Sequence, residues 1–261
     1  MFQATMSQVS VFRKIIESLN ALVQEVNIEA TNTGLSLQAM DSAHVSLVSL
    51  KIQDTGFEEY RCDKNTTLGI NLIDFSKILK MAKQDDTLTL KAEEDNSYLS
   101  ILLENKKTEK IAEFQLNLLN LELQSLGIPE TEYPTSIKMS SGEFVSLCRD
   151  FTTLSDSMKI EVKGEQVTFS IVGKSGNGKL TLKNNTAEKI EDQIIITNNE
   201  DVTCSYGLQY LNSFAKASSL SNVVTLNISA KFPLMIEYEI EELGFIKFYL
   251  APKMDEETIV E

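Results

Sequence analysis

The chain repeats itself at half its length, and that repeat constrains the fold more than any other feature. VNIEATNTGLSLQAM (26–40) aligns without a gap on MKIEVKGEQVTFSIV (158–172), an offset of 158 − 26 = 132. Ile28 meets Ile160, Glu29 meets Glu161, Leu35 meets Val167 and Leu37 meets Phe169. Both stretches read as two alternating strands joined by a tight polar turn, TNTG in one and KGEQ in the other. The preceding segments keep the offset: Phe12 meets Phe144, Ile15 meets Leu147, Ile16 meets Cys148 and Leu19 meets Phe151. Further on, TLTLKAEEDNSYLSILLE (87–104) falls under VVTLNISAKFPLMIEYEI (223–240), at 223 − 87 = 136. INLIDFSKILKMA (70–82) falls under YGLQYLNSFAKAS (206–218) at the same offset. A period of half the chain means two copies of one domain, not a solenoid.

Each half reads strand, helix, several strands, helix, strands. In LMIEYEIEE, Leu234, Ile236, Tyr238 and Ile240 face one way, while Glu237, Glu239 and Glu241 face the other. That is a sheet with a buried inner face and a wet, acidic outer one. The expected class is α+β: two similar domains of antiparallel sheet, each with two helices on one side. The expected division is residues 1–117, a connector over 118–134, and residues 135–261. With 42% hydrophobic residues in 261, the chain can fill two cores of ordinary size.

Several function classes fall away. No window approaches the ~18 consecutive apolar residues of a membrane span. MFQATMSQVS lacks the basic-then-apolar pattern of a secretory leader. Cys62, Cys148 and Cys204 are scattered and show no CxxC spacing, as buried or idle thiols would. His44 is the single histidine, so a zinc site or a histidine-based triad has no basis. No cofactor and no catalytic activity are expected. The formal charge of −14 taken alone argues against nucleic acid. A sum, however, does not say where the charges lie.

The helices carry the opposite sign. In SKILKMAK, burial of Phe75, Ile78, Leu79 and Ala82 leaves Lys77 and Lys80 on the outer face, and Lys83 extends the row. In VFRKIIESLNALV the buried stripe is Phe12, Ile15, Ile16, Leu19 and Val23, so Arg13 and Lys14 point outward beside Glu17. GEFVSLCRDF buries Phe144, Leu147, Cys148 and Phe151 and exposes Arg149 beside Asp150; LQYLNSFAKA exposes Lys216. Taken singly, each is an ordinary solvated helix face. Taken together, basic residues recur on the helix side of an acidic protein, a pattern that attracts a phosphate backbone without reading sequence. No aromatic residue is interleaved for base stacking, which favours duplex over single strand.

GKSGNGKL (173–180) nearly matches the phosphate-loop pattern, with Gly173, Gly178 and Lys179 in place. Leu180 stands where a magnesium-binding hydroxyl is needed, and the sequel KLTLKNNT reads as a strand, not the helix such a loop must open. KLTL and IAEFQL (111–116) instead look like edge strands. Exposed edges invite pairing with another chain, and head-to-tail pairing closes a ring when the rotation allows.

Assembled in order, LQAMDSAHVSLV (37–48), YRCDKNTTLGINL (60–72), SKILK (76–80), LGIPETEY (126–133), SGEFVSLCRD (141–150), GNGK (176–179) and LAPK (250–253) resemble the sliding clamp family, close to its eukaryotic members. They run along nearly the whole chain. The resemblance implies a DNA clamp fold and a homotrimeric ring of six similar domains in the nucleus, with helices lining a hole that encircles double-stranded DNA. It implies no chemistry, only tethering of DNA polymerase, with a clamp loader and other clients that present a short Gln-aliphatic-aromatic motif. By position, the bore would carry Arg13, Lys14, Lys77, Lys80, Lys110, Arg149 and Lys216. Asn20 and Gln209 stand where a basic residue is common in the family. The subunit junction would pair Lys110–Leu116 (Lys110, Ile111, Ala112, Phe114, Leu116) with Ser175–Leu182 (Ser175, Gly178, Lys179, Leu180, Leu182) of the next chain. The client groove would be lined by Met40, His44, Val45, Leu47, Leu126, Ile128, Pro129, Tyr133, Pro233, Ala251, Pro252 and Lys253. The family's modified lysine near 163–165 is out of register here, since Lys163 is followed by Gly164. The alternative is one subunit of a heterotrimeric, checkpoint-type clamp.

LGIPETEYP (126–134) falls between the two copies and is therefore a tether. A solvated tether has little use for Leu126, Ile128 and Tyr133. Pro129 and Pro134 stiffen it, so that one wall of the groove is expected there. MDEETIVE, at the C-terminal end, reads as a solvated acidic segment.

Overall fold

Alternation of apolar and polar residues writes the strands, and two copies of one strand-and-helix order result. The structure, a computed structural model, describes residues 1–93, 97–122, 131–187, 189 and 193–253. It divides into two units: Met1–Ser42, Val48–Gly127 and Ile240–Ile246 form the first, and Ala43–Leu47, Ile128–Glu239 and Lys247–Glu261 the second.

The first half runs β1 (Phe2–Met6), α1 (Val9–Asn20), β2 (Glu25–Thr31), β3 (Gly34–Met40), β4 (Ser46–Gln53), β5 (Glu59–Cys62), β6 (Thr66–Asn71), α2 (Leu72–Leu79), β7 (Thr87–Ala92), β8 (Tyr98–Asn105) and β9 (Lys110–Asn117). The second runs β10 (Thr135–Ser140), α3 (Ser141–Thr152), β11 (Ser157–Lys163), β12 (Gln166–Gly173), β13 (Gly176–Lys183), β14 (Ile195–Asn198), β15 (Val202–Gly207), α4 (Leu208–Ala215), β16 (Val223–Ile228), β17 (Leu234–Ile240) and β18 (Gly244–Leu250). Element for element, the order is the same.

Strand order repeats too. β5-β1-β7-β8-β9 in the first half corresponds to β14-β10-β16-β17-β18 in the second, and β6-β2-β3-β4 to β15-β11-β12-β13. The registers printed by the paired strands are antiparallel throughout. β9 and β13 each lie at the end of their series.

The offset of 132 holds through the first hairpins: Ile28, Leu35 and Leu37 are buried, as are Ile160, Val167 and Phe169. The offset of 136 holds for α2 and α4 and for β7 and β16. It fails in the next strand. An offset of 136 would bury Met235, Glu237 and Glu239 as the counterparts of Leu99, Ile101 and Leu103, but Leu234, Ile236 and Tyr238 are buried instead. Leu90 pairs with Ile101, whereas its counterpart Leu226 pairs with Ile236. The second hairpin is thus one residue shorter. In a strand a one-residue slip exchanges the two faces, so burial reports it at once.

Each helix lays one stripe on the sheets. α1 buries Val9, Phe12, Ile15, Ile16 and Leu19, and Phe12 meets Phe75 of α2 edge to face at 5.9 Å. α2 is shorter than its pattern implies. It stops at Leu79, so Lys80 is its C-cap, Lys83 lies beyond it and Ile78 is only half-buried. Phe151 of α3 is likewise half-buried, not in the stripe with Phe144, Leu147 and Cys148. α3 and α4 are tied by Asn212, whose Nδ2 donates to Cys148 O at 3.3 Å and to Thr152 Oγ1.

The start of the connector is anchored by a close approach. Leu119 N–H donates to Gly69 O at 2.8 Å, and Asn27 Nδ2 donates to Leu121 O at 3.1 Å. A Cβ on residue 69 would lie 2.1 Å from Leu119 O, so only glycine allows this contact.

Candidate functional site

The exposed helix faces come first. In the first unit Arg13 and Lys14 are half-buried on α1, while Lys77, Lys80 and Lys110 are exposed. Asn71 caps α2 by accepting from Asp74 N–H at 3.1 Å, which fixes Asp74 in the first turn, where the helix dipole favours an acid. Asp74 then holds Lys77 Nζ at 2.8 Å. In the second unit Arg149 Nε donates to Asp150 Oδ1 at 3.0 Å. Lys216 caps α4 at its C-terminal end as Lys80 caps α2, the end at which a cation is favoured. Two of the basic residues read from the sequence are therefore already ion-paired. Asn20 is half-buried at the end of α1, and Gln209 is exposed on α4.

The strand edges follow. β9 is exposed along both faces except at Phe114 and Leu116, and Ile111 keeps 69% of its surface accessible. Its even-numbered residues share the core face, since Ala112, Phe114 and Leu116 lie opposite the buried Leu103, Ile101 and Leu99. β13 has the same character: Gly178, Leu180 and Leu182 lie opposite the buried Ile171, Phe169 and Val167 and stay half-exposed. Lys179 sits within β13, and the preceding turn holds only Lys174 and Ser175 between Gly173 and Gly176. With no helix following, the near-match to a phosphate loop is a β-hairpin.

The residues expected to line a groove are partly assembled within the second unit. Ala251 N–H donates to Val45 O at 3.1 Å, which places the 43–47 loop beside the end of β18. His44 is exposed and held at φ 56, a left-handed conformation that few non-glycine residues adopt. Tyr133 O–H donates to Pro233 O at 2.8 Å, and its ring meets Phe232 edge to face at 6.2 Å. Burial pushes the Tyr133 phenol up to about 12, with the Tyr249 phenol adding to the shift. Leu47 is half-buried, and Pro233, Ala251 and Pro252 are exposed. Lys253 is held down: its N–H donates to Ser205 O at 2.8 Å, and its Nζ to Ser157 Oγ at 2.7 Å. Met40 ends β3, half-buried, in the first unit. Leu126, Ile128 and Pro129 lie outside the described residues. Phe232 and Tyr249 escaped the sequence reading. The KFP run before the alternating LMIEYEI was the available signal for Phe232.

Among the described residues no cluster of His, Cys, Asp and Glu could hold a metal ion. Burial pushes the Cys148 thiol up, away from reactive thiolate character. The geometry is that of surfaces, not of a reaction centre.

Comparison with known families covers nearly the whole chain. Residues 1–126 match the family model described as proliferating cell nuclear antigen, N-terminal domain. Residues 127–253 match the one described as proliferating cell nuclear antigen, C-terminal domain.

Proposed function

Because the chain belongs to the proliferating cell nuclear antigen family of sliding clamps, whose members are non-enzymatic scaffolds that act on DNA, we propose that three copies close head to tail into a ring around duplex DNA. Residues 118–134 serve as the connector between two clamp domains, 1–117 and 135–261. The ring works in the nucleus as a processivity factor for DNA polymerases and as a docking platform for repair proteins. The observation that carries this reading is that a single chain offers two open strand edges, β9 and β13, one in each unit. A chain with both edges needs no other kind of subunit to close a ring.

The helix faces supply the DNA contact. Arg13, Lys14, Lys77, Lys80, Lys110, Arg149 and Lys216 meet phosphates and not bases, so the ring holds DNA by topology and slides. Clients dock on the apolar surface around Val45, Tyr133, Pro233 and Ala251. Met40, His44, Leu47, Leu126, Ile128, Pro129, Pro252 and Lys253 complete the groove. A short helical turn that buries an aliphatic and two aromatic anchors suits such a surface. A docked polymerase is kept at high effective concentration over the template.

Two experiments test this. Light scattering of the purified protein is expected to give three times 29.2 kDa; a stable monomer would favour the heterotrimeric alternative. Primer extension on primed circular DNA with a clamp loader is expected to give longer products when this protein is added. Unchanged product length would overturn the processivity role. Replacing Leu126 and Ile128 by Ala is expected to abolish client binding while leaving the ring intact.

A further inference from the structure

The proposed junction has a determinable register, and it rests on the ring reading above. β4 and β18 are neighbours in strand order, and they are the repeat counterparts of β13 and β9. Within the first unit Gln53 N–H donates to Leu243 O at 2.7 Å, and within the second Ala251 N–H donates to Val45 O at 3.1 Å. These two bonds define one antiparallel register, in which Gln53 faces Leu243 and Val45 faces Ala251.

That register transfers through the repeat. Gly34 lies against Gln53, since a Cβ there would be 3.0 Å from the Gln53 carbonyl carbon. Its counterpart Gln166 pairs with Lys183. Gln53 therefore corresponds to Lys183, and Val45 to Ser175. β18 and β9 both begin directly after their hairpin, Gly244 on Lys110, and Ile246, Phe248 and Leu250 fall on Ala112, Phe114 and Leu116. Leu243 then corresponds to Glu109, and Ala251 to Asn117. The intermolecular pairs become Glu109–Lys183 and Asn117–Ser175, with Glu113–Lys179 midway between them.

Three independent features fit this register. The core faces match, because even-numbered residues of β9 meet even-numbered residues of β13; a one-residue slip would turn one sheet's core face to solvent. Phe114 comes opposite Gly178, where a Cβ would approach Ile171 Cγ1 to 3.0 Å and Phe151 Cε1 to 3.7 Å. Glycine there leaves apolar lining uncovered for the ring. Finally, charge is complementary. Glu113 shares the outer face of its sheet with Glu104, while Lys179 and Lys183 line the outer face of β13. Glu161 lies within electrostatic reach of Lys179 on its own sheet. Acids at 109 and 113 and lysines at 179 and 183 have the same four-residue spacing. A slip of two residues in either direction leaves neither acid opposite a lysine, and a slip of four leaves only one such pair.

We propose that a second copy of this chain docks on β13 through β9, with Glu113–Lys179 and Glu109–Lys183 as the paired charges that lock the junction's register. Glu109, Glu113, Lys179 and Lys183 are exposed in the single chain, so substitution there leaves each unit folded.

The test is charge reversal with concentration-dependent sedimentation of the full chain. E113K and K179E are each expected to weaken trimer formation about 3- to 10-fold per junction at low salt, as like charges directly opposite repel. The double variant E113K/K179E is expected to recover most of the loss. Register is read separately by mild oxidation of Q115C/N177C, whose Cα atoms would be about 5.5 Å apart and within disulfide range. Cross-linked oligomers are expected there, and none from Q115C/K179C or the unsubstituted chain. Wild-type trimers with no rescue by the double variant, or with cross-linking only in Q115C/K179C, would overturn the register and leave the ring standing. A monomer at every concentration would overturn both.

Discussion

Lys77 and Lys80 lie three residues apart on one helix, yet they are expected to contribute unequally to DNA binding. Lys77 Nζ is held by Asp74 Oδ1 at 2.8 Å, and both side chains are more than half exposed. Lys80, at the C-cap, stands a turn further from that carboxylate. To meet a phosphate, Lys77 must give up an exposed ion pair worth up to about 1 kcal/mol, roughly a 5-fold penalty per site. Each phosphate contact contributes about 0.9 to the slope of log affinity against log salt, so three equivalent lysines in a ring contribute up to about 2.7. Lys80→Ala is expected to lower that slope by most of this amount, and Lys77→Ala by less than half as much. Asp74→Asn is expected to act in the opposite direction, tightening DNA binding while costing about 0.3–1 kcal/mol of helix stability through the lost charge near the helix N-terminus. The assay is fluorescence anisotropy of a labelled duplex titrated with protein across a series of salt concentrations, with circular dichroism to confirm the fold. Equal effects of Lys77→Ala and Lys80→Ala, or unchanged affinity in Asp74→Asn, would refute the reasoning.

Other outcomes follow from the same structure. Gly69→Ala is expected to destabilise by about 2 kcal/mol in urea unfolding, because a Cβ 2.1 Å from Leu119 O must displace the strand that donates to Gly69 O and accepts from Asn27; protease susceptibility near 118–122 should rise with it. Phe12→Ala is expected to cost about 3–5 kcal/mol, since Phe12 is 2% exposed and packs edge to face on Phe75. The Tyr133 phenol is raised in the folded state to about 12, so its stabilising contribution is complete below the ordinary phenol value and lost as pH rises through about 12. Comparing the absorbance titration of the wild type with that of Tyr133→Phe should show one high-pH transition missing. The same variant should lose about 0.5–1.5 kcal/mol with the bond to Pro233 O.

Much of the candidate site was legible in sequence because its signals are local. The basic positions on α1, α2, α3 and α4 follow from helical periodicity: once Phe12, Phe75, Phe144 and Phe214 are buried, the remaining face is fixed. What periodicity could not show is the state of those charges. Whether Asp74 reaches Lys77, or Asp150 reaches Arg149, depends on rotamers and helix ends, not on spacing alone. The groove shows the same division. Val45 and Ala251 are 206 residues apart (251 − 45 = 206), and only the fold sets one against the other through a backbone hydrogen bond. Tyr133 reads as an apolar residue in a tether; its contacts with Phe232 and Pro233, a hundred residues away, assign it a wall.

By itself the sequence determined the two-copy plan, the strand and helix order within each copy, and the sign of each exposed face. These are written in periods of about 2 and 3.6 residues, which backbone geometry imposes on any chain that must bury its apolar side chains. Only the tertiary structure decided that the second β-hairpin of the later copy is one residue shorter, and that β9 and β13 end their sheets unpaired within the chain. Strand neighbours and register are non-local choices, made by hydrogen-bonding groups that every residue carries alike, so side-chain identity does not spell them out.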